Sequence, residues 1–100
     1  MVEDRKDGFS TTFWQDFSIA DAFGKDAVRD TFDRAFGEWK DNYLYLTDLV
    51  LVLNHKIWQH YEAGREGFAR LYDELWRKAD SYGCENLKGD QLEYFYSVLD

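Results

Sequence analysis

Residues 43–62 constrain the fold more strongly than any other part of this chain. They are apolar on almost every side, and their apolar side chains recur at the helical positions 46, 50, 53, 57 and 61. The run 49–53 has strand propensity, but the length of the segment and this spacing favour a helix. A helix that is apolar nearly all round must be covered by neighbours on several sides. The sequence therefore predicts a central buried helix, with Asn42 as its N-cap.

Other segments carry a single apolar stripe each and predict the helices that cover this one. They lie at about 26–40, at about 65–82 and from Asp90 onward, where Asp90 and Glu93 have the spacing of an acidic capping box. Residues 12–24 form either one helix or two short turns, and a turn is expected from Gly83 to Gly89. The predicted architecture is an all-α, compact four- to five-helix bundle, with the helix at about 43–62 as its central buried spine.

The aromatic content and the length together predict one domain with its own core. The 100 residues include 8 Phe, 7 Tyr and 4 Trp but no proline. Fully burying one large apolar side chain contributes roughly 1.5–3 kcal/mol, so about a dozen suffice without disulfide or metal. Residues 1–10 are charged and predict a disordered leader, which leaves 11–100 as a single helical domain.

Cysteine usage and hydropathy predict a cytoplasmic protein that does not enter membranes. Cys84 is the single cysteine, so it can form neither an intramolecular disulfide nor a cysteine-based zinc site, and we expect a small buried thiol. The first residues lack the apolar stretch of a signal peptide. The longest apolar run, 49–53, is far too short to span a bilayer.

The distribution of charge suggests where a partner would bind. Of the net charge of −8, residues 11–24 carry −2 and residues 89–100 carry −3. Such a surface repels nucleic acid and anionic membrane. An aromatic patch with an acidic rim suits a basic protein partner. We expect the partner-binding residues in these two segments to be Trp14, Asp16, Asp21, Asp90, Glu93, Tyr94 and Tyr96.

Catalytic and metal-binding patterns do not rise above background, so the sequence predicts no enzyme activity, no cofactor and no metal. His55 and His60 lie five residues apart on a helix, about 140° from one another, and cannot hold one metal as an i, i+4 pair could. Asp26, Asp30 and Asp33 are interpreted as a solvated helix face. A small-ligand or metal-binding bundle centred on His55, Trp58 and His60 remains an alternative.

Residues 17–40 offer a second alternative, a helix-turn-helix-like regulator that associates with DNA. Ala20 and Gly24 have the spacing of that motif. The corresponding recognition helix, 26–41, carries five acids against three bases, and would be repelled by phosphates. Direct nucleic-acid binding is therefore not expected.

The stretches 12–21, 54–61 and 87–94 resemble small, acidic, uncharacterised all-helical proteins encoded on conjugative and other mobile elements of Gram-positive gut bacteria. The group has no established activity, so the resemblance assigns no functional residue. It implies a bacterial cytoplasmic accessory protein and raises the expectation of a counter-defence role.

These observations favour a non-enzymatic protein-interaction module with an acidic surface. A specific version is an inhibitor that occupies the nucleic-acid groove of a basic enzyme by presenting carboxylates in place of phosphates.

Overall fold

In the part of the chain that the structure describes, four helices fold around a fifth, the segment that the sequence marks as central. The computed structural model describes residues 14–99, so the predicted leader and the first residues of the predicted segment 12–24 lie outside the described residues. The helices are α1 (14–23), α2 (Lys25–Trp39), α3 (Tyr43–Glu62), α4 (Glu66–Asn86) and α5 (Asp90–Leu99). The prediction of an all-α bundle is confirmed, and residues 14–23 form one continuous helix rather than two turns.

Helix α3 has the predicted bounds because local signals define both of its ends. The Asn42 side-chain oxygen accepts a hydrogen bond from the backbone N–H of Leu44, at 3.1 Å. At the other end Gly64 adopts φ 77°, and the N–H of Arg65 donates to the carbonyl of His60 at 2.8 Å. This is a Schellman termination, which favours glycine because other residues rarely adopt positive φ.

The four outer helices each contribute one fully buried aromatic ring to the core around α3. These rings are Phe17 of α1, Phe32 of α2, Tyr72 of α4 and Phe95 of α5. Helix α3 supplies buried Leu and Val side chains, and it packs against α2, α4 and α5. Truncating a buried Phe to alanine typically costs about 3–5 kcal/mol, so every outer helix depends on its own anchor.

Helix α4 extends beyond its predicted end, and the turn predicted from Gly83 to Gly89 is wrong. The helix continues through Gly83 to Asn86. A Cβ at Gly83 would lie 3.1 Å from the Phe95 ring and 3.4 Å from Leu46. This glycine therefore serves close packing of α5 rather than a change of direction. The reversal occurs at 87–89, where Gly89 has φ 63°.

Within residues 14–99, none of the helices has both the length and the apolar character needed to cross a membrane.

Candidate functional site

Two of the predicted partner-binding residues, Trp14 of α1 and Tyr94 of α5, pack against different parts of α3. The Trp14 ring meets the His55 ring edge-on, with centroids 4.4 Å apart. The Tyr94 ring meets the Tyr43 ring edge-on, with centroids 5.8 Å apart. Tyr43 and His55 are separated by about 18 Å along the helix, at 1.5 Å per residue. The two groups are thus anchored far apart, and their contacts with α3 do not join them into one acidic patch.

Asp21, expected on the acidic surface, lies mostly inside the protein. Its side chain is 13% exposed. One carboxylate oxygen accepts from the Lys56 ammonium at 3.1 Å and from Nε2 of His60 at 3.2 Å. The other oxygen accepts from the Tyr72 hydroxyl. The carboxylate that was expected to meet a partner instead connects α1 to α3 and α4.

Burial determines the protonation of this cluster. The His60 ring lies against the Phe68 and Tyr72 rings, with centroids 5.1 and 5.2 Å away, and its Nδ1 finds no partner among the described residues. Desolvation lowers the pKa of His60, although Asp21 opposes that shift. Desolvation and the hydrogen bond to Asp21 raise the pKa of Tyr72. His60 and Tyr72 are therefore neutral at neutral pH, beside the ion pair of Lys56 with Asp21.

The chemistry open to this cluster is limited by access. A Lys, a His, a Tyr and an Asp together resemble a set of acid–base groups, but a catalytic group must reach its substrate. Asp21, at 13%, has a more exposed side chain than Lys56 or His60, and Tyr72 is fully buried. We interpret the cluster as a structural tie between helices.

The other predicted residues differ in how far they reach the surface. Asp90 and Glu93 are exposed on α5, whereas Asp16, Trp14 and Tyr94 are half-buried. The Tyr96 side chain is 40% exposed, and its hydroxyl contacts the Cys84 thiol.

The expectation of a buried thiol is wrong, because Cys84 is exposed. Helix α4 continues through Gly83, and this extension carries Cys84 on the outer side of its last turn.

The alternative centre formed by His55, Trp58 and His60 is divided between three environments. His60 is buried in the Asp21 cluster, His55 packs on Trp14, and Trp58 faces solvent. Among residues 14–99, no three or more His, Cys, Asp or Glu side chains are grouped to hold a metal ion.

The connection between α1 and α2 differs from that of a helix-turn-helix motif. Helices α1 and α2 are separated by Gly24 alone, which adopts φ 122°, whereas that motif uses a turn of three to four residues. The acids of α2 are solvated as expected, since Asp26, Asp30 and Asp33 are all exposed.

Sequence reasoning missed a groove between α3 and α4, which we call the aromatic groove. Its volume is about 280 Å³, and its lining residues are Asn54, Ile57, Trp58, Tyr61, Asp73 and Trp76. Trp58 is 64% exposed and Tyr61 is 51% exposed. The sequence feature that could have indicated this groove is the nearly all-round apolar character of α3, because the neighbouring helices do not bury all of its apolar side chains.

The aromatic groove also contains polar groups, contributed by Asp73 and Trp76. The Asp73 carboxylate is partly exposed and accepts from Nε of Arg77 at 2.9 Å, across one turn of α4. The indole nitrogen of Trp76 is buried and has no acceptor within the described part of the chain. A buried indole N–H without an acceptor is unusual, because buried polar groups are usually hydrogen-bonded.

Comparison with protein-family models, curated proteins and solved structures finds no match to this chain.

Proposed function

We propose that this protein is a cytoplasmic, non-enzymatic protein-interaction module whose aromatic groove binds a basic segment of a partner protein. The observation that carries the proposal is the exposure of Trp58 and Tyr61 beside Trp76 and the Asp73 carboxylate. Trp and Tyr dominate the binding energy of many protein interfaces, and Arg is their frequent counterpart.

The chemistry of the groove favours a cationic side chain. Lys or Arg over a Trp or Tyr face gains roughly 0.5–1 kcal/mol at an exposed site and about 2 when desolvated. Asp73 supplies a carboxylate within the same groove, although Arg77 now holds it. That ion pair is exposed and weak, so a partner's guanidinium can replace Arg77 at small cost.

The charge of the whole protein also favours a basic chain over a single small cation. The net charge of −8 attracts a basic chain over longer range and speeds its association, in a salt-dependent way.

A peptide-display selection against the purified protein tests the proposal. We expect the selected peptides to be enriched in Arg or Lys, and to lose at least tenfold in affinity for Trp58→Ala. Phe23→Ala is the matched control, because Phe23 is 79% exposed on α1 and does not line the groove. Peptides that bind both variants as well as the native protein would refute the assignment of the groove.

A narrower version makes the basic partner a nucleic-acid enzyme that the protein inhibits by phosphate mimicry. It is favoured by the exposed carboxylates of Asp26, Asp30 and Asp33, which follow one another at helical spacing along α2. Inhibition of a nuclease that weakens for Asp30→Asn/Asp33→Asn but not for Trp58→Ala would support this version. The reverse pattern would assign the inhibition to the aromatic groove.

A further inference from the structure

A second groove lies between the N-terminal halves of α2 and of α4, and we call it the basic groove. Its volume is about 330 Å³, and its lining residues are Lys25, Arg29, Gly67, Arg70, Leu71 and Glu74. In a chain with 12 bases and 20 acids, this groove gathers three cations around a single carboxylate. Its local charge is thus opposite to that of the whole chain.

Among residues 14–99, two of the three cations of the basic groove make no ion pair, and the third makes a weak one. Arg29 and Glu74 approach to 4.0 Å, but both side chains are more than half exposed, so their ion pair is weak. Lys25 and Arg70 have no carboxylate within 4.0 Å in the described part of the chain. Lys25 and Arg29 lie four residues apart and share one face of α2. The groove therefore has a surplus of positive charge.

Gly67 allows the Lys25 ammonium to lie within this groove. A Cβ at position 67 would come within 2.7 Å of the Lys25 nitrogen. Each residue is locally unfavourable, since a cation at the first residue of α2 opposes the helix dipole and glycine lowers helix propensity. Proteins break such local rules at functional or strained sites. The two unfavourable choices together place a charged donor in the basic groove.

We propose that the basic groove binds a small phosphoryl oxyanion, held by Lys25, Arg29 and Arg70. A guanidinium offers two parallel N–H donors to a phosphoryl group, and an ammonium acts as a compact charge. A volume near the lower end of small-molecule sites fits one phosphorylated group rather than a long polyanion. Distant acids are screened beyond about 8 Å at physiological salt. Glu74 lines the groove, and Asp26 and Glu66 adjoin Lys25 and Gly67 along the chain, so the three cations must outweigh these nearby carboxylates to hold the anion.

Titration of the ¹⁵N-labelled protein with inorganic phosphate and with pyrophosphate, in chloride buffer of constant ionic strength, tests this inference. We expect saturable shifts of the backbone amides around Lys25 and Gly67, and at least tenfold weaker binding for Arg70→Gln. Arg34→Gln is the matched control, because Arg34 is exposed on α2 but does not line the groove. Non-saturable shifts, or equal weakening by both variants, would overturn the proposal.

Gly67→Ala provides a second test that does not depend on loss of folding. Alanine raises helix propensity, while its methyl group displaces the Lys25 ammonium. We expect weaker phosphate binding in a protein that unfolds no earlier than the native one. Native phosphate affinity in Gly67→Ala would show that binding does not need the Lys25 ammonium at the position it has here.

A phosphoserine peptide, compared with its unphosphorylated form, identifies the source of the oxyanion. Arg70-dependent binding of this peptide that exceeds the binding of pyrophosphate would indicate a protein ligand. The opposite order would indicate a phosphorylated small molecule, and binding of neither would refute the site.

Discussion

Replacing Asp21 by alanine removes the one carboxylate that three buried side chains share. It leaves the Lys56 ammonium, 5% exposed, without a counter-charge and His60 and Tyr72 without their acceptor. Breaking a buried ion pair typically costs about 3–5 kcal/mol. Because the Asp21 side chain retains some contact with solvent, we expect the free energy of unfolding to fall by about 3 kcal/mol, the lower end of that range. This corresponds to a loss of roughly 12–24 °C in Tm for a domain of this size.

Urea unfolding followed by far-UV circular dichroism at pH 7 measures this loss. Asp73→Ala is the control, since its ion pair with Arg77 is exposed and we expect a change of no more than about 0.5 kcal/mol. The double variant Asp21→Asn/Lys56→Met removes both charges of the buried pair and should recover most of the loss. A loss below about 1 kcal/mol for Asp21→Ala, or a double variant no more stable than the single one, would refute the reasoning.

Three further predictions follow from the packing. Burial lowers the pKa of His60, so as pH falls below about 6.5 the unfolded chain takes up the proton first. The free energy of unfolding should therefore decrease from pH 7 to pH 5, and it should decrease less steeply in His60→Gln. Urea titrations that give the same pH dependence for both proteins would contradict this. Gly83→Ala should lower the free energy of unfolding by about 1–3 kcal/mol despite the higher helix propensity of alanine, because the added methyl group meets the Phe95 ring. An unchanged or higher Tm would argue against this packing effect. The exposed Cys84 thiol should react with a thiol reagent in the native protein at nearly its rate in urea, whereas strong protection would show that it is covered.

Sequence reasoning succeeded where the determining interactions are local. Helix α3 is bounded by its Asn42 cap and by Gly64, and both signals lie within a few residues of the helix ends. The same reasoning failed at Gly83, because a glycine is read locally as a helix terminator. Its neighbour Phe95, 12 residues later, determines its role instead.

The candidate sites depend on contacts that no local pattern contains. Asp21 meets Lys56, His60 and Tyr72 at separations of 35, 39 and 51 residues, so its charge could not be assigned to the interior from the sequence. The aromatic groove is a related case. The surplus apolar character of α3 was visible, but which face stays uncovered depends on how four other helices pack around it.

The indole N–H signals of the four tryptophans test the proposed function most directly. With a selected basic peptide added to the ¹⁵N-labelled protein, we predict that the Trp58 and Trp76 indole signals shift or broaden. The signals of Trp14 and Trp39, which lie outside the aromatic groove, should stay in place. Larger shifts at Trp14 or Trp39 than at Trp58 and Trp76 would contradict a binding site in the aromatic groove.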